Sequence, residues 1–126
     1  MGLLDNLFKP QQEKAGLRWK TLDSESQIES IIRESYHKPV VIFKHSIYCG
    51  TSAMAKRRLE GDWDFAAEDM DIYFLDIINY RSLSNKVAEV FEVIHQSPQM
   101  IVVKNGEAVL NLSHRAVSVE ELRKIK

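Results

Sequence analysis

Hydrophobic positions along this chain fall into two rhythms. Short apolar runs suit strands, and stripes at helical spacing lie between them. Pro39-Val40-Val41-Ile42-Phe43 is a β-branched, apolar run after the break at Lys38-Pro39, and it predicts a buried strand closed by Lys44-His45-Ser46. Asp71 to Ile77 and Met100 to Val103 read the same way, and Leu17 to Leu22 offers a first strand with Trp19 and Leu22 as core candidates. Asn105-Gly106 is a hairpin signal, with Ala108 to Leu112 as the returning strand. Ile28, Ile31, Ile32 and Tyr36 form a helical stripe behind the capping-box pattern Ser24-x-x-Gln27. Ser52 to Leu59 holds good helix formers, and Gly61-Asp62 is expected to break that helix. After a loop over Asn79 to Ser84, Val87, Val90, Phe91 and Ile94 mark the face of another helix; Val119, Leu122 and Ile125 mark a last one. The order βαβαβαββα predicts an α/β fold, a central mixed β-sheet with helices on both faces. The first strand and helix are expected to cross into a parallel neighbour, and the hairpin to supply the antiparallel edge.

Two segments make up the chain of 126 residues: an N-terminal segment and linker over residues 1–16, and one domain over 17–126. In the first, Leu3, Leu4, Leu7 and Phe8 share a helical face, which suits a small helix lying on the domain better than a membrane or partner contact; Lys9 to Gly16 is polar and linker-like. Hydrophobic content of 44% and charged content of 28% are ordinary for a globular protein. A net charge of -1 gives no electrostatic reason to expect nucleic acid as a partner. No apolar run approaches the ~20 residues of a membrane span. Met1-Gly2-Leu3-Leu4-Asp5 has an early acid and no long apolar region, so no secretory leader is expected. The chain has one cysteine, which excludes an internal disulfide and leads us to expect a reducing, cytoplasmic compartment.

That cysteine, Cys49, lies between the Pro39–Phe43 run and the helix formers, at or just before the first turn of the predicted helix. Unpaired N–H groups at a helix start favour an anion, and a thiolate is the reactive form of cysteine. A free thiol with a pKa of ~8.5 is only ~7% ionised near neutral pH. A helix terminus contributes ~0.3–2 kcal/mol, so N–H donation to the sulfur from the backbone after Thr51 is expected to add to it. Ser52 has two readings, a hydroxyl donor to the sulfur or an ordinary first-turn residue. Either way it cannot act as a resolving thiol, so a disulfide on Cys49 needs a thiol from outside. Gly50 and Thr51 keep the sulfur's surroundings small, and Tyr48 either shields one side of it or stands as an exposed turn aromatic. His45 is a candidate neighbour of the sulfur or a loop histidine without a role. Lys56, Arg57 and Arg58 suggest an anion site, but Lys56 stands about two turns, ~10.5 Å, beyond Cys49. That exceeds the ~8 Å Debye length, and a solvated helix face is the better reading. His37, His95 and His114 have no ligand spacing with Cys49, so no metal site is expected.

Tyr48-Cys49-Gly50-Thr51-Ser52 resembles the thioredoxin-type motif of an aromatic residue followed by C-G-x-C, with serine at the second cysteine. His45-Ser46-x-x-Cys49-x-x-Ser52, with Ser97-Pro98-Gln99 and Asn105-Gly106 downstream, is similar to one branch, the monothiol bacilliredoxins of the bacillithiol system. The similarity runs from about Trp19 to the C-terminus. It implies the thioredoxin fold and a cis Ser97–Pro98 bond beside the active cysteine, after which Gln99 starts an exposed backbone edge able to pair with a partner's chain. It also implies a monothiol thiol–disulfide oxidoreductase. No bound cofactor is expected; bacillithiol, a low-molecular-weight thiol, is the implied co-substrate. S-thiolated client proteins are the implied partners, together with a second thiol or a reductase. Cys-Gly-Thr-Ser also resembles the C-G-F-S of monothiol glutaredoxins, which can hold an iron–sulfur cluster between two subunits. Thr51 replaces the aromatic residue of that motif, and Leu112-Ser113-His114-Arg115 stands where a Gly-Gly acidic segment would follow.

Overall fold

A computed structural model describes residues 16–125. The apolar face predicted for Leu3, Leu4, Leu7 and Phe8 lies outside the described residues, as does nearly all of the predicted linker. The elements run β1 (Trp19–Thr21), α1 (Ser26–Glu34), β2 (Val40–His45), α2 (Gly50–Asp62), β3 (Asp71–Asp76), α3 (Arg81–Val90), β4 (Gln99–Lys104), β5 (Glu107–Ser113), a 3-10 turn (His114–Ala116) and α4 (Glu120–Ile125).

The sheet order is β1-β3-β2-β4-β5. β3 is parallel to both β1 and β2, whereas β4 is antiparallel to β2 and to β5. The sequence led us to expect the first strand beside the second; instead β3 sits between them. A three-residue strand with one half-buried and two exposed positions belongs at an edge, and the fully buried β2 belongs at the centre.

Alternation along β2 divides the core. Val41 and Phe43 face α2 and α4, packing with Ala55, Leu59, Ile72, Met100 and Leu122. Val40 and Ile42 face α1 and α3, packing with Ile28, Ile31, Leu83, Val87 and Ile101. The same alternation sends His45 toward α2 and Lys44 toward α3. Lys44-His45 does not end the strand, because both residues are buried within it.

Several boundaries differ from the sequence reading. Gly61 and Asp62 complete α2, since no Cβ or positive φ is needed there and Trp63 turns the chain instead. α3 begins at Arg81, so Ser84 is helical, with its N–H donated to Tyr80 O at 2.9 Å. That helix ends at Val90, and Glu92 takes a positive φ of 54°. Ile94 therefore lies beyond the helical face and is exposed rather than buried. Tyr36 is exposed as well, because α1 stops at Glu34 and the stripe loses its period. Half of the capping box forms: Gln27 Oε1 accepts the Ser24 N–H at 3.0 Å, and Ser24 Oγ turns to Ser26 and Gln27 side chains.

Candidate functional site

Cys49 is the N-cap of α2. Its backbone is extended (φ -110°, ψ 117°), and its carbonyl accepts the first helical N–H, from Ala53, at 3.1 Å. A turn sets it there: the Cys49 N–H is donated to Ser46 O at 3.2 Å. The N–H groups of Gly50, Thr51 and Ser52 precede that first intrahelical donor, but the Cys49 side chain takes no capping hydrogen bond from them, so the N–H donation to the sulfur expected from the sequence is not made. The cysteine is half-buried, and its neighbours Gly50 and Thr51 are exposed, which leaves the thiol open to a reactant. Tyr48 is 80% exposed.

Behind the cysteine lies a buried polar pair. Ser52 Oγ is 2.7 Å from His45 Nδ1 and accepts the Ser46 N–H at 3.1 Å. Ser52 is fully buried and His45 nearly so. The imidazole also stacks on Phe43 and Phe74, at centroid distances of 5.9 and 5.2 Å. Burial pushes His45 below the ordinary histidine range and the Lys56 cation adds to this, while Asp76 and Glu60 pull the other way. Lys56 itself pairs with Glu60 at 2.9 Å and lies over the Trp19 and Phe74 rings. Arg58 donates to Val117 O, and Arg57 is exposed, so the three basic residues do not converge on the cysteine.

The Ser97–Pro98 peptide bond is cis. It enters β4 beside the end of β2, where Gln99 pairs with Lys44, one residue before His45. Pro98 O accepts the His114 N–H at 3.0 Å. Gln99 does not open a free edge: β2 and β5 flank it, and it is completely buried. Its side chain instead ties down the segment before the proline, donating to Ile94 O at 2.9 Å and accepting the Gln96 N–H at 3.3 Å. Ser97 Oγ is buried without a hydrogen-bond partner among the described residues.

Two residues at this end escaped the sequence reading. Lys44 is completely buried, with Nζ donating to Ser84 O at 3.1 Å and standing 3.0 Å from His95 Nδ1. Burial alone pushes its ammonium down to about 8. His95 also falls below its usual range, through burial and then the charges of Lys44 and Arg81. A lysine continuing an apolar strand run was the available signal.

A helix N-cap cysteine following a central strand, in a sheet whose neighbouring strand is entered through a cis-proline, defines a thiol-redox protein of the thioredoxin fold. The family model of monothiol bacilliredoxin BrxC matches residues 20–122, and the chain belongs to that family. Among solved structures, it is similar to a thioredoxin-fold protein described as a candidate oxidoreductase, at 34% identity and a TM-score of 0.72, covering 84% of this chain and 91% of the other. A thioredoxin from Trypanosoma brucei brucei shares the fold at 17% identity and a TM-score of 0.69, covering 88% and 93% of the two chains. So does the Malassezia sympodialis thioredoxin, at 19% identity and a TM-score of 0.66, covering 89% and 90%.

Proposed function

We propose that this protein is a monothiol thiol–disulfide oxidoreductase that removes bacillithiol from mixed disulfides with client proteins. The Cys49 thiolate attacks the bacillithiol sulfur of the mixed disulfide. A new sulfur–sulfur bond forms at Cys49, the old one breaks, and the client leaves as its thiolate. A second low-molecular-weight thiol, or a partner reductase, then attacks the adduct. It takes the bound thiol away as a disulfide and returns Cys49 as thiolate, with no net change in the enzyme. The external thiol is required because Ser52 stands where a resolving cysteine would and the chain has no other cysteine.

The observation that carries this reading is the place of Cys49: the lone cysteine caps α2, half-buried, with small exposed residues after it. Family membership favours bacillithiol over other small thiols. The test is intact mass after incubation with oxidised bacillithiol and, separately, oxidised glutathione. A single bacillithiol adduct that forms faster than the glutathione adduct, and is absent in Cys49→Ser, is the expected result. Equal rates with both thiols would sink the choice of bacillithiol, and no adduct with either would sink the exchange reaction.

A further inference from the structure

We propose that His45 is a positioning residue for Cys49 that acts through Ser52, setting whether the serine proton is directed into the imidazole or out toward the cysteine. The proposal rests on Cys49 being the reacting thiol. It follows from an inventory of one buried hydroxyl. A serine oxygen has one proton to donate and two lone pairs to fill. The Ser46 N–H fills one lone pair at 3.1 Å. His45 Nδ1, at 2.7 Å, takes up a second position.

What remains depends on the ring. If Nδ1 carries no proton, Ser52 donates to it and has nothing left to give. If Nδ1 is protonated, it donates to Ser52, both lone pairs are filled, and the serine proton must point elsewhere. Ser52 is fully buried, so no water replaces the missing acceptor at low cost. Ser52 is the third residue after the N-cap, the position toward which an N-cap side chain is directed. The side chain there is that of Cys49. A hydroxyl directed there donates to a thiolate and stabilises it. Where the neutral ring carries its proton on Nε2, imidazolium and thiolate therefore favour one another through the serine, and the coupling is reciprocal.

Other charges around the ring are few. Lys56 and Glu60 face it from α2 and Asp76 from β3; Phe43 and Phe74 supply its apolar walls. Lys44, its chain neighbour, points to the opposite side of the sheet toward Ser84 and His95. Lys56 is held by Glu60 at 2.9 Å, so Ser52 is the one side chain that hydrogen-bonds the imidazole among the described residues.

The experiment follows the ultraviolet absorbance of the thiolate with pH in wild type, Ser52→Ala and His45→Asn. Asparagine keeps a polar atom near the Nδ1 position but does not titrate. Wild type is expected to titrate over a wider pH range than one ionisation spans. On the acid side it should hold about tenfold more thiolate than Ser52→Ala. Each variant should titrate as a single site. A second measurement needs no substitution: the NMR titration of the His45 ring in wild type, before and after Cys49 is capped with iodoacetamide. Capping removes the thiolate, so the His45 midpoint should move to lower pH. A midpoint unmoved by capping overturns the proposal, and so does a Ser52→Ala absorbance curve that superimposes on wild type. If the coupling appears but Cys49 takes no adduct from any disulfide, the exchange reaction fails and the His45 role stands. If adducts form and the coupling is absent, the exchange reaction stands and the His45 role fails.

Discussion

Residue 52 shows how much one side chain decides. Serine there is buried against His45, at the third position after the Cys49 N-cap. Ser52→Cys would place a thiol one helical turn from Cys49, the spacing that thioredoxin-type dithiols use. We expect that variant, carrying a small-thiol adduct on Cys49, to expel the small thiol unaided and close an internal disulfide. Wild type should hold its adduct until an external thiol arrives. A mass time course of both adducted proteins without added thiol is the check; equal persistence would mean that residue 52 cannot reach Cys49. Lys44 carries a second residue-scale prediction. Its ammonium is held below the usual lysine range in the folded state, so between about 8 and 10.5 the unfolded chain binds more protons and stability rises with pH. Below pH 8 the full burial penalty applies. Urea midpoints of wild type and Lys44→Met, compared from pH 7 to 11, should therefore shift in favour of wild type as pH rises. The expected change is on the order of 1–3 kcal/mol.

At the scale of elements, the β4–β5 hairpin is joined to the end of α1 by a tight turn. Asn105 and Gly106 both have positive φ, 53° and 81°, as the Asn-Gly signal requires. Ser35 at the end of α1 receives both N–H groups: Asn105 donates to its carbonyl at 2.9 Å and Gly106 to its hydroxyl at 2.8 Å. A Cβ at residue 106 would meet Tyr36 Oη at 2.7 Å, in a conformation that already disfavours a side chain. Gly106→Ala should therefore cost about 1–2 kcal/mol in chemical denaturation. Adduct formation at Cys49 should be unchanged, because the turn follows the far end of β4 from the cis-proline. A variant as stable as wild type would show that Tyr36 and the turn yield freely.

Across the whole molecule, the two ends of the sheet have different tasks. Cys49, His45 and the cis-proline gather at the end where β2 and β3 finish and β4 begins. At the opposite end Asp71 and Glu34 share a site with Lys20 and Lys38, at 2.7 Å and 3.2 Å from Asp71. Burial and then the neighbouring Asp71 push Glu34 up to about 7. Burial alone would raise Asp71 too, but hydrogen bonds with Glu34, Lys20 and Lys38 outweigh it and hold Asp71 at about 2. The signs are opposite. Asp71 contributes stability that is present above its ordinary value and lost as pH falls toward 2. Glu34 binds its proton more tightly when folded, so stability falls as pH rises from about 4.5 to 7. Glu34→Gln should flatten that decline by on the order of 1 kcal/mol, the half-exposed setting having screened the rest. Thermal midpoints across that range test it, and the alkylation rate of Cys49 should not change. A slope identical in both proteins would place the proton elsewhere.

Much of this was written locally. Val40 to Phe43 is apolar and β-branched, so it could only be a buried strand, and that put Cys49 at the following helix start. Asn105-Gly106 needs no distant contact to make its turn, and the motif around Cys49 with Ser97-Pro98 carried the family. What the chain order could not convey was which strands become neighbours. β1 pairs with β3 because a short, half-exposed strand suits the edge, and that choice depends on burial across the whole sheet. Nor could local pattern show that Lys44 and His45 stay inside β2, where polarity reads as a strand's end. Only packing brings His45 to Ser52, Lys44 to Ser84, and Gln99 between two strands, since each partner comes from a separate element and each contact forms where burial leaves a polar atom no water.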